Sequence, residues 1–473
     1  MRDGSIAVRR LSTRRTVLQV GGLTVARCLW PFAAHSGAAE TARRRAESVI
    51  FLWMGGGVTH IDSFDPKPEA PQEIRGTLEA IATRLPGIRF GEPMREMAAV
   101  ADKLALIRTF SHDSNDHLLS QVYTLSGRKV NRSQLFSEPN IGAIVAHQLG
   151  PRNGLPGYIA VPGITRPGPP PHNLFVGGWL GQRYAPFCVG GQPEQPDFTV
   201  GKKDPNPSPF AEEDLRPKEL DLPPAMTPGR LHRRQTLRQR LALAARWLEK
   251  TAPAGALDGQ YADAFRLLTS QRVRKAFDLA DEPSAVRDRY GRTKIGGRCL
   301  LARRLVEAGA RFVMVDYGYD PDYGNLWDNH NAASQNFPHI SKMCLRGYHL
   351  AGMDRAFAAL LNDLDERGLL DRTLVVFLTE FGRTPKINAR GGRDHWGMCG
   401  SIFFAGAGIR RGIVVGQSDR HAAYPLTRGY SPADVAATIL HLLGIDLSGR
   451  LYDRQNRPHP VLDHGEPIAA VLA

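Results

Sequence analysis

Apolar positions along the chain fall into two periods. Short, nearly continuous apolar runs recur at Val49–Met54 (VIFLWM), Leu104–Ile107, residues 311–315, 374–379, 401–404 and 412–415. Runs of this length, rich in β-branched and aromatic residues, fit strands buried on both faces. Between them the spacing changes to that of a helix. Near residues 346–367, Leu350, Met353, Phe357, Leu360, Leu361 and Leu364 recur at helical intervals and form one buried stripe. Further helices are predicted at His117–Ser126, at 296–309 and near 432–443. The last opens with Ser431-Pro432, an N-cap followed by proline at the first helical position. Two more, near 230–250 and 256–279, are rich in Leu, Ala, Arg and Gln. This alternation predicts an α/β fold, a mainly parallel sheet sandwiched by helices.

Residues 151–229 interrupt the pattern. They hold 17 of the 34 prolines, including Pro169-Pro170-Pro171 and the run DPNPSP. Such a segment reads as an ordered, loop-rich excursion over one face of the core. The expected organisation is one domain at 46–450 with this excursion inside it, and a C-terminal tail at 451–473. No internal repeat is visible.

Composition narrows the class. A chain of 473 residues with 42% hydrophobic content can bury a substantial core, and its 48 glycines imply many loops. Residues 1–39 carry six arginines and one aspartate, so +5 of the formal charge of +14 belongs there and +9 to the rest. That balance favours anionic substrates or surfaces. It carries no RNP, helix-turn-helix or finger pattern, so nucleic acid is not expected as a partner.

The N-terminus reads as a targeting segment. Thr13-Arg14-Arg15-Thr16-Val17-Leu18-Gln19 resembles the twin-arginine export motif, followed by a modestly apolar stretch and small residues at Ala33–Ala39 suited to cleavage. The apolar stretch, interrupted by Arg27, is too short to span a bilayer. The plain alternative is a basic disordered tail. Export would place residues 40 onward in the periplasm or another extracytoplasmic space, with no stable membrane span. Cys188, Cys299, Cys344 and Cys399 then remain, at spacings that match no zinc ribbon or CxxC unit. An oxidising compartment would permit a disulfide among them, while Cys299, in CLLARRLVEAG, fits a packing role.

Candidate chemistry sits at strand ends. Leu374–Leu378 runs into Glu380, a Gly-rich turn and then Asp394-His395. Val49–Met54 runs into a loop carrying His60, Asp62 and Asp65, and residues 312–315 lead to Trp327-Asp328-Asn329-His330. Ligand sites of α/β sheets lie beyond the carboxyl ends of the strands. Mixed carboxylate and imidazole donors there suit zinc, manganese or iron better than calcium. Asp328-Asn329-His330 or Asp394-His395 alone reads as a hydrophilic loop and Glu380 alone as an N-cap partner or an ion pair with Arg383, and together they could form a structural network of Asp–His and Glu–Arg hydrogen bonds. A further polar run, Ser111 to His117, lies before a helix and is either an anion site or an N-cap. Arg128 and Lys129, at the far end of that helix, read as surface charges.

The segments GGGVTHIDSFDPKPEAP, SHDSNDHLLSQVYTLSGR, RYGRTKIGGRCLLARRLVEAGARFV, WDNH and LTEFGRTP followed by GRDHW resemble the bacterial family called domain of unknown function 1501, from about residue 47 to 446. The resemblance implies kinship with the alkaline phosphatase and sulfatase superfamily, whose core is a parallel sheet between helices with a metal-assisted ester-cleaving site. It implies a first-strand metal carboxylate at Asp62 and mid-chain ligands at Asp328 and His330. Thr379-Glu380-Phe381-Gly382 is similar to that superfamily's Ser/Ala-Asp-His-Gly segment, with Glu380 for Asp and Phe381 for the histidine that His395 would replace. Counting ten residues back from Gly127, where sulfatases carry their nucleophile, lands on His117. No cysteine stands there, which excludes a formylglycine mechanism. Either metal-activated water attacks, or His117 is a ligand or nucleophile, or hydrolysis is lost.

The expected protein is therefore an exported, alkaline-phosphatase-like hydrolase of phosphate or sulfate esters. A zinc or manganese ion would be held by Asp62, Asp328, His330, Glu380 and His395. His117 and His112 would serve as ligand or proton donor and Arg383 would clamp the anion. The substrate would be a small anionic ester or a sulfated or phosphorylated glycan. The rival class is a non-catalytic extracytoplasmic binding or assembly protein on the same scaffold.

Overall fold

A computed structural model describes residues 45–163, 174–190, 213–217, 220, 226–245, 265, 267–320, 323–332, 335 and 337–473. The export motif, and parts of the 151–229 and 256–279 segments, lie outside the described residues.

The apolar runs become strands of one sheet. In chain order they are β1 (Ser48–Trp53), β2 (Leu104–Phe110), β3 (Tyr158–Gly163), β4 (Phe187–Gly190), β5 (Phe312–Asp316), β6 (Thr373–Leu378), β7 (Gly400–Gly406) and β8 (Ile413–Val415). They pair in the order β8-β2-β7-β6-β1-β5-β3-β4. Only β7 runs against its neighbours, antiparallel to both β6 and β2. The central register sets Phe51 beside Val376 on one side and Met314 on the other. The mainly parallel α/β class read from the sequence is the observed one.

Strand side chains alternate between two cores. Ile50, Leu52, Val313, Val315, Val375 and Phe377 enter the first, with the helices α3 (Lys294–Ala308) and α4 (Leu350–Glu366). Val49, Phe51, Phe312, Met314, Leu374 and Val376 enter the second, with α1 (His117–Ser126), α2 (Ile141–Leu149) and α5 (Pro432–Leu442). Burial on both faces explains why these strands read as unbroken apolar runs. Each fully buried Val, Leu, Ile or Phe contributes about 1.5–3 kcal/mol relative to exposure. The α4 stripe is fully buried as its spacing predicts, and Ser431 caps α5 in a box with Asp434. Much of the RYGRTK…ARRLVEAG segment is structural. Arg303 pairs with Glu282 at 2.7 Å and Asp363 at 2.9 Å, and the Tyr290 hydroxyl donates to Asp363 at 3.0 Å.

Three expectations change. The Pro-rich excursion contributes β3 and β4, extending the sheet beside β5 rather than only covering a face. Proline density hid them, since Pro162 lies within β3 itself. In the 256–279 segment Ser270 caps a short helix at Gln271–Ala276. Arg128 is buried rather than a surface charge; it donates to the carbonyls of Pro460 and Val461 and to Asp463, which fastens the C-terminal residues to α1. Among the described residues no disulfide joins the cysteines, and Cys299 is buried in the first core.

The directions of the strands position the site. β1, β2, β5 and β6 all end at one edge, and antiparallel β7 begins there. Their connecting loops therefore meet.

A pH-dependent brace lies on the far side of the first core. Asp354 of α4 accepts hydrogen bonds from the backbone N–H groups of Met97 at 2.7 Å and Glu96 at 2.9 Å. Burial pushes its carboxyl up to about 7, against the opposing pull of those two donors. The folded state then binds a proton that the unfolded chain has released above about pH 4, so stability falls as pH rises toward 7. Between pH 5 and 7 the loss should be roughly 2–3 kcal/mol. Urea unfolding of the parent and Asp354→Asn at both pH values checks this; equal pH slopes in the two proteins would contradict it.

Candidate metal centre

Local sequence explains how the loops converge. β1 runs into Gly55-Gly56-Gly57. Gly56 adopts φ +130°, and a Cβ there would lie 2.9 Å from the Trp327 Cβ, so only glycine fits. β2 runs into Ser111–Asp116, where Asp116 caps α1 by accepting from the Leu119 N–H at 3.0 Å, which makes His117 the first helical residue. β5 leads to the loop ending in Asp328-Asn329-His330. Beyond β6 a two-residue antiparallel ribbon pairs Gly382–Arg383 with His395–Trp396, setting His395 opposite Arg383. That ribbon returns His395 to the end of β6.

These side chains meet at Asp328. Its Oδ1 lies 2.8 Å from His330 Nδ1, 3.0 Å from His395 Nε2, 3.2 Å from His117 Nε2 and 3.0 Å from Arg383 Nη2. Asp328 is buried, whereas His117, His395 and His330 keep 21%, 25% and 28% of their side-chain surface exposed, so one side of the cluster opens to solvent. Burial alone would raise the Asp328 carboxyl; the His117 ring, with His330 and His395 beside it, outweighs that and holds the group well below the usual carboxylate range. At His395 burial prevails, keeping that imidazole below its ordinary value and favouring the neutral ring. The ligand atoms of His117, Asp328 and His395 lie within 4.8 Å of one another, the one such group among the described residues.

Counting protons tests whether a cation fits. One carboxylate oxygen offers two lone pairs, yet four nitrogens crowd Oδ1. Arg383 and His330 can donate to it. His395 Nδ1 faces the Asn115 carbonyl at 3.0 Å, and His117 Nδ1 faces Glu380 Oε1 at 2.9 Å. Both partners accept, so in a neutral ring the proton sits on Nδ1 and Nε2 presents a lone pair. Two nitrogen lone pairs then converge on an anionic oxygen. Separations near 3 Å are those of ligands around a tetrahedral ion, which at bond lengths of about 2.0–2.1 Å lie roughly 3.3 Å apart. The donor set fits a divalent metal.

The structure sorts the sequence candidates. Asp328, His330, His395 and His117 come together. Glu380, fully buried, is reached through His117. His112 Nε2 donates to the Glu380 carbonyl and its Nδ1 accepts from the Ser114 N–H at 3.2 Å, so its ring braces backbone. Arg383 points inward, donating to the carbonyls of Gly57, Arg393, Gly56 and Trp327 as well as to Asp328; it does not present itself to an incoming anion. Asp62 is engaged elsewhere, with Arg393 at 2.7 and 3.0 Å and the Thr59 hydroxyl at 2.6 Å. His60 and Asp65 hold the 418–422 loop, through the Ala422 carbonyl and the Ser418 hydroxyl. Sequence reasoning missed Asn115, which acts through its carbonyl, and Gln121, whose amide donates to Glu380 at 3.2 Å. Gln121 lies one helical turn after His117, and that spacing could have flagged it.

The sequence matches the family described as "Protein of unknown function (DUF1501)" over residues 46–472. No curated protein matches it. Among solved structures, similarity extends to a phosphonate monoester hydrolase from Silicibacter pomeroyi (11% identity, 90% of this chain and 76% of that one, TM-score 0.37). It extends also to a sulfatase from Pseudoalteromonas sp. (14% identity, 92% of this chain and 72% of that one, TM-score 0.36).

The geometry separates Asp62 from Asp328 by experiment. Asp62→Asn leaves Arg393 charged in a buried site and should cost roughly 3–5 kcal/mol in urea unfolding, with zinc affinity unchanged. Asp328→Asn should show the reverse emphasis, losing most of its zinc affinity in a chelator competition. Loss of zinc binding by the Asp62 variant, folded under the assay conditions, would return Asp62 to the ligand set.

Proposed function

We propose, for a chain that belongs to the DUF1501 family over residues 46–472, a metal-dependent hydrolase of phosphate or sulfate esters. The observation that carries this reading is the convergence of His117 Nε2, His395 Nε2 and Asp328 on one point with a solvent-exposed side. Three protein ligands leave a coordination position open, as catalytic rather than structural zinc sites do. When bound, zinc or manganese supplies charge neutralisation at the ester oxygens and lowers the pKa of water. Arg383 and His330 hold Asp328 ionised and oriented. His330, the most exposed of the three imidazoles, is the group placed to pass a proton to a leaving oxygen. The two ring nitrogens of His117 face Asp328 and Glu380, which supports a ligand role over a nucleophilic one. His112, bonded to the Glu380 carbonyl, supports the site from behind.

Elemental analysis of protein from a native-like host should find about one divalent ion per chain, lost in His117→Ala and His395→Ala. His330→Ala should keep the ion and lower kcat about 10²–10⁴-fold. Panels of aryl phosphates, phosphodiesters and sulfates, assayed with zinc and manganese, test the reaction. An ion-loaded protein inactive on all of them would favour the extracytoplasmic binding protein.

Export is part of the same proposal. No helix among the described residues is long and apolar enough to cross a membrane. Replacing Arg14 and Arg15 by lysine should leave the protein in the cytoplasm; normal secretion of that variant would show that the N-terminal motif is not an export signal.

A further inference from the structure

Glu380 lies two residues beyond the end of β6 with its side chain fully buried, and three nitrogens approach its carboxylate. The Gly56 N–H approaches both oxygens, at 2.7 and 2.6 Å, the Gln121 amide approaches Oε1 at 3.2 Å, and His117 Nδ1 lies 2.9 Å from the same oxygen. We propose that Glu380 is a positioning residue: it holds His117 in the tautomer protonated at Nδ1 and so aims the Nε2 lone pair at the ion. This deepens the metal reading above and rests on it.

A backbone N–H and a side-chain amide can only donate from those atoms, so Oε1 acts as an acceptor toward both. The approach of His117 Nδ1 to that same accepting oxygen is read as a further donation, which puts the ring proton on Nδ1. In a neutral ring this leaves Nε2 bare, 3.2 Å from Asp328 Oδ1. The Asn115 carbonyl imposes the same tautomer on His395. Two rings are thus set by two independent acceptors, and both present lone pairs to one point. Carboxylate–histidine–metal relays of this kind orient the ring and raise its basicity.

The backbone around Glu380 is built to hold it still. His112 donates to its carbonyl, and the Thr379 hydroxyl donates to the Met54 carbonyl at 2.8 Å while accepting from the Val58 N–H at 3.0 Å. Gly56 can approach because no side chain fits against Trp327. Direct ligation by Glu380 would instead require its oxygens to turn away from these donors, leaving buried N–H groups unsatisfied.

The test reads protonation and affinity, not turnover. In metal-free parent protein with ¹⁵N-labelled histidine, long-range ¹H–¹⁵N correlation at pH 8 should show His117 protonated at Nδ1 only, assigned with His117→Gln. A proton on Nε2, alone or with Nδ1, overturns the proposal without any variant of Glu380 having to fold. Glu380→Gln should weaken zinc and cobalt(II) binding about 10–100-fold, with the cobalt absorption bands unchanged in shape. Altered bands would make Glu380 a ligand, and an affinity within twofold of the parent would remove its role; either result overturns the proposal. A parent that binds none of zinc, manganese or cobalt defeats the metal reading itself, while the His117 tautomer still decides for or against Glu380.

Discussion

The Arg383 guanidinium lies almost wholly buried beneath the site and donates to the carbonyls of Gly56 and Gly57 after β1, of Trp327 in the loop after β5, and of Arg393 in the ribbon after β6. It also donates to Asp328 Oδ1 at 3.0 Å. One cation therefore ties three connections, two of which are also joined by the Arg393 N–H donating to the Asn329 carbonyl at 2.9 Å. Loop carbonyls withdrawn from water need donors, and a planar five-donor fork can serve several at fixed angles. Without it, four carbonyls and a carboxylate would face one another at the heart of the strand-end cluster. Gly57 contributes to the same constraint: it sits at φ +86°, and a Cβ there would lie 2.6 Å from the Phe381 ring. Phe381 thus packs against the β1 loop and against the His117 and His395 rings.

Two buried Asp–Arg pairs sit near one another and do opposite things. Asp62 and Arg393 close on each other in a two-point bond, and the pair is completed by Thr59 and the Ile74 carbonyl. Such a pair offsets its own desolvation and has little left to offer a ligand. Asp328 is different. Arg383 reaches it through one nitrogen from behind, and the other approaches come from imidazoles on the solvent side. An aspartate with one cation behind it and rings in front can bind something; an aspartate gripped on both oxygens cannot. The pairs are coupled, because the Arg393 carbonyl accepts from Arg383.

This contrast marks the limit of what the chain reveals unaided. Asp62 follows a buried strand just as Asp328 does, and nothing near it in sequence says that Arg393, 331 positions away, will claim it. The strands buried on both faces were legible, because two cores leave no polar alternation to confuse. β3 was not, because a proline inside a strand reads as a breaker. His330 and Asp328 were legible as a D-x-H pair and His395 by its place after a Gly-rich turn. His117 stood out by its place at the end of the Ser111–His117 polar run and by its offset from Gly127, neither of which shows a ring held between two carboxylates. Gly56 and Asn115 act through an N–H and a carbonyl that every residue possesses, so composition and spacing carry no trace of them.

Charge balance gives the last constraint. With neutral imidazoles, the cluster holds the negative Asp328 and Glu380 against the single positive Arg383. Arg383 and Arg393 both face inward onto carbonyls and carboxylates, and Lys129 pairs with Asp113. In that state the opening presents acceptor atoms and a net negative charge, which would repel a phosphate or sulfate ester. A divalent cation among the same three atoms would reverse the sign at that opening, since bound cations are commonly the largest local charges in such sites. The overall positive charge of the chain could steer an anion toward the protein, but it does not act at the cluster itself. Attraction of an anionic ester and activation of water would then come from one ion, and the buried arginines would be released from substrate binding to hold the loops.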